Sequence, residues 1–193
     1  MKKIILTVAA VFALSFANAQ DKKEGSGEGF GKGDIYLTGT VNFMNEKQGD
    51  LKSDGLTIAP GIGYFLTENL ALVGSLEYSS SKNTAEVKTT GFGLSAGVKY
   101  FWTPASKFSL SLGGQLSYMT EKEDAFDVKT NTIGLNVPVG LHYFVSDSFA
   151  ITTEWAGLSY TSEKADTTGA EATNTIKLGG DLSTITLGLI YKL

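Results

Sequence analysis

The feature that most constrains this chain is a two-residue alternation of apolar residues with small or polar ones, which recurs in eight segments. The fifth segment sets Phe108, Leu110, Leu112, Leu116 and Tyr118 against Ser109, Ser111, Gly113, Gln115 and Ser117. A period of two is typical of a β-strand whose faces meet different environments. The sequence therefore predicts eight strands, and the other seven lie near residues 35–43, 55–65, 70–79, 90–101, 131–144, 149–160 and 184–193. The apolar parity of the seventh strand changes between Trp155 and Leu158, which predicts a bulge near Gly157. Pro60 and Pro138 lie inside strands, where a ladder donor is lost, so bulges or bends are expected there as well.

A short internal repeat supports this strand count. The pattern Gly-aliphatic-x-Tyr begins at Gly61, Gly97, Gly140 and Gly188 and ends each even-numbered strand. Three copies lead into a short turn and the fourth reaches the C-terminus. The remaining connections are longer and polar, roughly over 44–54, 80–89, 119–130 and 161–182. Short turns at one end and long loops at the other are typical of outer-membrane barrels, whose short turns face the periplasm. We therefore expect periplasmic N- and C-termini and long extracellular loops.

The volume of the interior decides which face of the strands points outward. Alternation alone also fits a soluble eight-stranded barrel of the lipocalin kind, whose apolar face lies inside. Eight strands enclose an interior just wide enough for side chains, and about four or five large apolar residues per strand exceed that space. The opposite face, mostly Gly, Ser, Thr and Ala, does fit. We predict an all-β, eight-stranded antiparallel up-and-down transmembrane β-barrel over residues 34–193.

The first residues have the composition of an export signal. A basic start is followed by an apolar run over residues 4–16 and by the small-residue triplet Ala17-Asn18-Ala19. The run is too short to span a bilayer core as a helix. We predict a cleaved signal peptide at 1–19 and a flexible periplasmic lead-in at 20–33, which is rich in Gly, Lys and Glu.

Composition excludes several classes of function. The chain has no cysteine, which rules out disulfides, thiol catalysis, thiolate metal sites and a lipoprotein anchor. A formal net charge of -4 and the absence of arginine argue against nucleic acid as a partner. Charged residues make up 19% of the chain, below the roughly 25–35% that suits the surface of a soluble domain. Composition thus agrees with a barrel in the outer membrane of a Gram-negative bacterium.

Aromatic residues recur near both ends of the predicted strands. The periplasmic end carries Tyr64, Tyr100, Trp102, Tyr143 and Tyr191. Tyr and Trp concentrate where a membrane protein meets the headgroup region, so we interpret this set as the periplasmic aromatic girdle. Phe43, Tyr78 and Tyr118 could contribute to the outer girdle. The alternative for all of these rings is ordinary core packing.

A set of polar residues is predicted to face the barrel interior. Its members are Glu77, Lys99, Gln115, Asn136, His142, Glu154 and Lys192. They could line a narrow polar path, or they could form a closed interior in which Glu and Lys pair so that no charge is isolated. We favour the closed interior, because eight strands leave little free space.

Signals for catalysis or metal binding are weak. The only histidine, His142, is expected to be a hydrogen-bonded interior residue rather than a general base or a metal ligand. Acidic loop residues, Glu121, Glu123, Asp124 and Asp127, could bind a divalent cation, but a solvated charge run is the default interpretation. We predict no catalytic residue, no metal and no cofactor.

On these motifs the sequence resembles the small outer-membrane β-barrel proteins grouped as OmpA-, OmpX- or OmpW-like porin-family barrels, across essentially all of the mature chain. The resemblance implies that the last strand is read by the barrel-assembly machinery during biogenesis. Leu187, Leu189 and Tyr191 match the alternating terminal strand of such proteins, whereas Leu193 stands where an aromatic residue is usual.

Two functional hypotheses from different classes follow. In the first, a non-enzymatic, monomeric barrel is embedded in outer-membrane lipid and has a structural or surface-interaction role, with its extracellular loops contacting an unknown surface ligand. In the second, the barrel is a narrow channel or an OmpW-like route for small solutes, suggested by the small, Gly-rich inward face. A barrel enzyme is the weaker third alternative.

Overall fold

Antiparallel strands dominate the computed structural model, which describes residues 29–48, 51–179 and 186–193. The strands are β1 (Ile35–Gln48), β2 (Leu51–Phe65), β3 (Leu70–Lys82), β4 (Lys88–Phe101), β5 (Phe108–Glu123), β6 (Val128–Phe144), β7 (Phe149–Ala165), β8 (Thr173–Leu178) and β9 (Thr186–Lys192). Within these ranges no helix has the length and apolar character needed to cross a membrane. The predicted signal peptide and residues 20–28 of the predicted lead-in lie outside the described residues.

The sheet closes into a barrel. Strands β1 to β7 pair in chain order, and β9 pairs with both β7 and β1. Residues 149–154 of β7 pair with β9, whereas residues 158–163 of β7 pair with β8. The short strands β8 and β9 therefore follow one another along the same side of β7 and together act as the eighth strand. The predicted eight-stranded antiparallel barrel is confirmed.

The facing of the side chains follows the predicted alternation. On β5, Leu112 and Leu116 are 40% and 64% exposed, whereas Ser109 and Ser111 are fully buried. Large apolar side chains on the other strands are exposed in the same way, so the outer surface of the barrel is apolar and the small residues fill its interior. This is the arrangement that the interior volume requires.

The two ends of the barrel differ. At the turn end, which is the end that holds the connections 66–69, 102–107 and 145–148, three short turns join successive hairpins. At the opposite hairpin end, the strands run further than predicted. For example, β1 continues to Gln48 and β2 begins at Leu51, although a polar loop was expected over 44–54.

The prediction of long loops was therefore wrong for most of this sequence. Beyond the lipid both faces of a strand meet water, so polar residues occupy both faces and the alternation disappears while backbone pairing continues. The described connections that remain at the hairpin end are short, at 83–87, 124–127 and 166–172.

One irregularity in the wall was also predicted. Val137 pairs with Leu158 and Pro138 with Ala156, which leaves Gly157 as an extra residue on β7. This confirms the expected bulge near Gly157, where Pro138 cannot donate a ladder hydrogen bond. Around Pro60 the pairing of β2 with β3 is interrupted, but the register is the same on both sides.

Candidate functional site in the barrel interior

Aromatic side chains close the lumen at the turn end. Phe65, Phe101 and Phe144 are fully buried, and Tyr36 is 2% exposed. The three phenylalanines follow directly after the repeat tyrosines, so alternation turns each one inward. Together with Phe30, which lies before β1, these side chains form the aromatic layer.

Phe30 occupies the centre of this layer. Its ring centroid lies 4.8 Å from those of Phe65 and Phe144, 5.1 Å from that of Tyr36 and 5.4 Å from that of Phe101. Phe30 itself is 2% exposed. A side chain from outside the strands thus fills the space that the ring of wall residues leaves open.

The segment that carries Phe30, residues 29–34, is here named the N-terminal strap. Its backbone is held by a hydrogen bond from Phe30 N to the Pro104 carbonyl (2.6 Å) and by another from Gly33 N to the Phe65 carbonyl (2.9 Å). Lys192 Nζ donates to the Gly29 carbonyl at 2.6 Å. The composition of residues 20–33 predicts a flexible segment. Within the part that the structure describes, Gly29 and Phe30 are buried at the barrel end, and Lys32 and Gly33 are exposed.

Directly beside the aromatic layer lies a polar layer built around His142. The imidazole is 1% exposed and lies 4.9 Å from the Phe101 ring, centroid to centroid. Ser111 Oγ is 2.7 Å from His142 Nε2, and Thr152 Oγ1 is 2.8 Å from Nδ1. Both ring nitrogens therefore have a hydroxyl partner.

This Ser–His pair is not arranged for nucleophilic catalysis. In a catalytic triad a carboxylate orients the histidine and the serine hydroxyl meets the substrate. Here a threonine hydroxyl occupies the position of the carboxylate, and Ser111 is fully buried. The arrangement satisfies buried polar groups and offers no accessible nucleophile.

An ion pair crosses the lumen next to His142. Lys99 Nζ donates to Glu154 Oε1, and the two side chains are 7% and 32% exposed. The pair joins β4 to β7, which are not neighbours in the wall. Pairing neutralises two charges that would be costly to leave isolated in the interior.

A cavity of about 210 Å³ adjoins this ion pair. Both charged residues line it, together with Tyr36, Gln115 and a hydroxyl-rich wall. The hydroxyls include those of Ser75 and Ser95, which are hydrogen-bonded at 2.7 Å. The cavity therefore presents hydrogen-bonding groups and both signs of charge.

The structure brings part of the predicted interior set together. Lys99, Glu154 and Gln115 line the cavity, and His142 lies in the adjoining polar layer. The other members are spread along the lumen: Asn136 Nδ2 donates to Ser117 Oγ at 3.2 Å, Glu77 is half-buried near the hairpin end, and Lys192 contacts the strap. Within the described residues, no group of three or more His, Cys, Asp or Glu side chains could hold a metal ion.

The aromatic residues predicted for the girdle all lie on the outer face at the turn end. Tyr64, Tyr100, Trp102 and Tyr143 are 44–51% exposed, and Tyr191 packs on Phe149 with ring centroids 4.8 Å apart. A second aromatic level, which includes Phe92, lies eight residues further along β4 from Tyr100. Eight residues span about 26 Å along a strand, or roughly 20 Å for a strand tilted by ~40°, close to the apolar band of outer-membrane barrels.

The acidic residues at the hairpin end do not gather into a site. Asp127, at the tip of the β5–β6 hairpin, accepts a hydrogen bond from Lys122 at 2.5 Å. This bond and the positive charge of the ammonium group lower the pKa of Asp127 below its ordinary value. Both side chains are exposed, as expected for a solvated charge run.

Sequence reasoning missed the aromatic layer. A signal was present, because Phe follows Tyr in three of the four repeats and Lys192 takes that place in the fourth. Since neighbouring strand residues point to opposite faces, outward tyrosines imply inward phenylalanines. Phe30 has no such signal, because it lies in a Gly-rich segment without strand periodicity.

A closed barrel with an apolar outer face and a polar lumen defines a β-barrel membrane protein. The family described as outer membrane protein beta-barrel domain matches residues 5–192, and the chain belongs to this family.

Two solved structures share the fold. The outer membrane protein OprG from Pseudomonas aeruginosa is similar with a TM-score of 0.53 and 13% identity, over 86% of this chain and 98% of OprG. Neisserial surface protein A has a TM-score of 0.51 and 16% identity, over 82% of this chain and 97% of that protein. A comparison with curated proteins finds no significant match.

Proposed function

We propose that this outer-membrane protein is a closed, non-enzymatic barrel that anchors in lipid and presents its hairpins for structural or surface-interaction purposes. The observation that carries the proposal is the aromatic layer. Phe65, Phe101 and Phe144 are fully buried across the lumen, with Phe30 at their centre. A lumen filled in this way supports an anchor rather than an open pore.

The proposal includes an orientation, in which the turn end faces the periplasm and the hairpin end faces the medium. The chain contains no cysteine, so single cysteines can report it. Ala125→Cys and Ser106→Cys lie beyond the two ends of β5, and both positions are exposed. In intact cells a membrane-impermeant maleimide should label only Ala125→Cys, and both variants should react after lysis. Labelling of Ser106→Cys alone would reverse the orientation.

Conductance and hairpin removal test the function itself. The purified mature chain in planar bilayers should be silent, and frequent discrete openings would contradict a closed anchor. Shortening each hairpin to a tight turn should leave the heat-modifiable gel mobility of a folded barrel unchanged while altering surface binding or envelope integrity. Unchanged phenotypes in all the shortened variants would reject the surface role.

A second candidate function is the binding or passage of small solutes. The cavity of about 210 Å³ beside Lys99 and Glu154 favours it, because donors, acceptors and both charges face one partly open space. Binding of small polar solutes, measured by tryptophan fluorescence or calorimetry, should weaken on Gln115→Leu, which removes a cavity-lining amide. Absence of any binding would leave the anchor as the better account.

A further inference from the structure

The closure at the turn end differs from the rest of the barrel because its central residue does not belong to the wall. Tyr36, Phe65, Phe101 and Phe144 lie on strands that are hydrogen-bonded to neighbours along their length. Phe30 lies before β1, in the N-terminal strap. Residues 29–32 can therefore leave the lumen without breaking any strand pairing, while Gly33 and Asp34 stay hydrogen-bonded to the Phe65 backbone of β2.

The strap makes specific contacts with the β4–β5 turn and with Lys192. Gly29 has a φ of +109°, and a Cβ at this position would lie 2.5 Å from the carbonyl carbon of Ala105. A glycine is therefore needed for the strap to lie against the β4–β5 turn. Phe30 N donates to the Pro104 carbonyl in the same turn, and Lys192 Nζ donates to the Gly29 carbonyl. These contacts place Phe30 at the centre of the aromatic layer.

Beyond the aromatic layer the lumen is polar and less densely filled. The cavity of about 210 Å³ adjoins Lys99 and Glu154, and half-buried glycine and serine residues such as Gly93 and Ser117 continue toward the hairpin end. Most inward residues at the turn end are buried, whereas most inward residues toward the hairpin end are half-buried, with Gly91 and Gly134 as exceptions. Among the described residues, the lumen is closed most fully by the layer that Phe30 completes and by the polar layer of His142 directly beside it.

We propose that the N-terminal strap is a displaceable plug, and that its withdrawal turns the closed barrel into a narrow pore for small cations. The carboxylates of Glu77, Glu121 and Glu154 face the lumen together with the ammonium groups of Lys99 and Lys192, which leaves an excess of one carboxylate (three against two). The lumen therefore has an acidic balance, which favours cations.

Planar-bilayer recordings of the mature chain and two plug variants test this inference. Phe30→Gly removes the central ring, and Gly29→Val prevents the strap from docking without changing any aromatic side chain. Each should raise the open probability at least tenfold over the wild type. Phe126→Gly is the matched control, because Phe126 is 73% exposed at a hairpin tip, and it should behave as the wild type.

Heat-modifiable gel mobility identifies the folded variants before recording. Silence of a folded Phe30→Gly or Gly29→Val variant would overturn the plug while leaving the closed anchor intact. Equal activity of the wild type and the plug variants would overturn both proposals. In the Phe30→Gly background, Glu77→Gln should reduce the preference for cations. An unchanged preference would show that the current does not pass through the lumen.

Discussion

The ion pair between Lys99 and Glu154 allows a prediction that depends on the unequal burial of its two members. Lys99 is 7% exposed, whereas Glu154 is 32% exposed and borders the cavity. Removing one member of a buried pair costs about 3–5 kcal/mol when the other charge is left uncompensated. The loss in the free energy of unfolding should therefore depend on which member of the pair is removed.

Glu154→Gln leaves the ammonium group of Lys99 in a nearly closed setting, although the new amide can still accept one hydrogen bond. We expect a loss of about 3 kcal/mol in the free energy of unfolding, at the low end of the range for broken buried pairs. Lys99→Met leaves a carboxylate that can turn toward the cavity and be hydrated there. We expect that loss to be about 1 kcal/mol, because the remaining charge keeps part of its solvent.

The double variant Lys99→Met/Glu154→Gln should be more stable than Glu154→Gln alone, because no uncompensated charge remains. The double loss should be smaller than the sum of the single losses by about 2 kcal/mol, as expected for residues in direct contact. Urea unfolding in lipid vesicles, followed by tryptophan fluorescence, measures all three values. The exposed pair of Lys122 and Asp127 is the control, and Lys122→Met should leave the unfolding midpoint unchanged.

Two outcomes would refute this reasoning. Additive losses would mean that the two side chains do not interact in the folded barrel. A larger loss for Lys99→Met than for Glu154→Gln would mean that Glu154, rather than Lys99, is the more deeply buried partner.

Two further predictions concern the wall. Leu116 pairs with Ala96, which lies on β4 midway between the aromatic levels of Tyr100 and Phe92, so Leu116→Arg should lower the free energy of unfolding in vesicles by about 2–4 kcal/mol. Gln115→Arg, at a position that faces the cavity, should lower it clearly less. Equal losses would contradict the predicted facing of the side chains. Gly63→Val should lower the free energy of unfolding by about 1–3 kcal/mol, because a Cβ at this position would lie 2.1 Å from the Tyr36 ring. The control Gly114→Val has open space around its Cβ and should be nearly neutral in the same assay.

The strand count, the closure and the facing could be predicted because lipid and lumen impose opposite demands on successive residues. Leu116 and Gln115 show this, since one is exposed to the outside and the other lines the cavity. Apolar residues are needed on the outer face only where it contacts lipid, so the extensions of β1 and β2 beyond the lipid, over residues 44–54, show no alternation. The predicted loop over 44–54 failed for this reason.

The partners inside the lumen were only partly predictable. Alternation places Lys99, His142 and Glu154 inward, but the contact between Lys99 and Glu154 depends on the stagger of β4 and β7, which are not neighbours in the wall. The partners of His142 lie on the neighbouring strands β5 and β7, and their identity depends on the register of those strands. The docking of Phe30 against the 102–107 turn joins residues more than 70 positions apart, and no local pattern records such a contact. Only the buried phenylalanines of the repeats left a readable signal.

The repeat explains how the barrel fixes its register at the turn end. In Tyr64-Phe65, Tyr100-Phe101 and Tyr143-Phe144, one ring points to the outer surface and the next points into the lumen. A slip of one residue would turn a tyrosine into the aromatic layer and a phenylalanine out of it. Phe30 packs against the rings of all three phenylalanines, so its docking depends on their facing inward. Plug docking and strand register therefore depend on the same dipeptides, and a strand that pairs in the wrong register also loses the closure of its lumen.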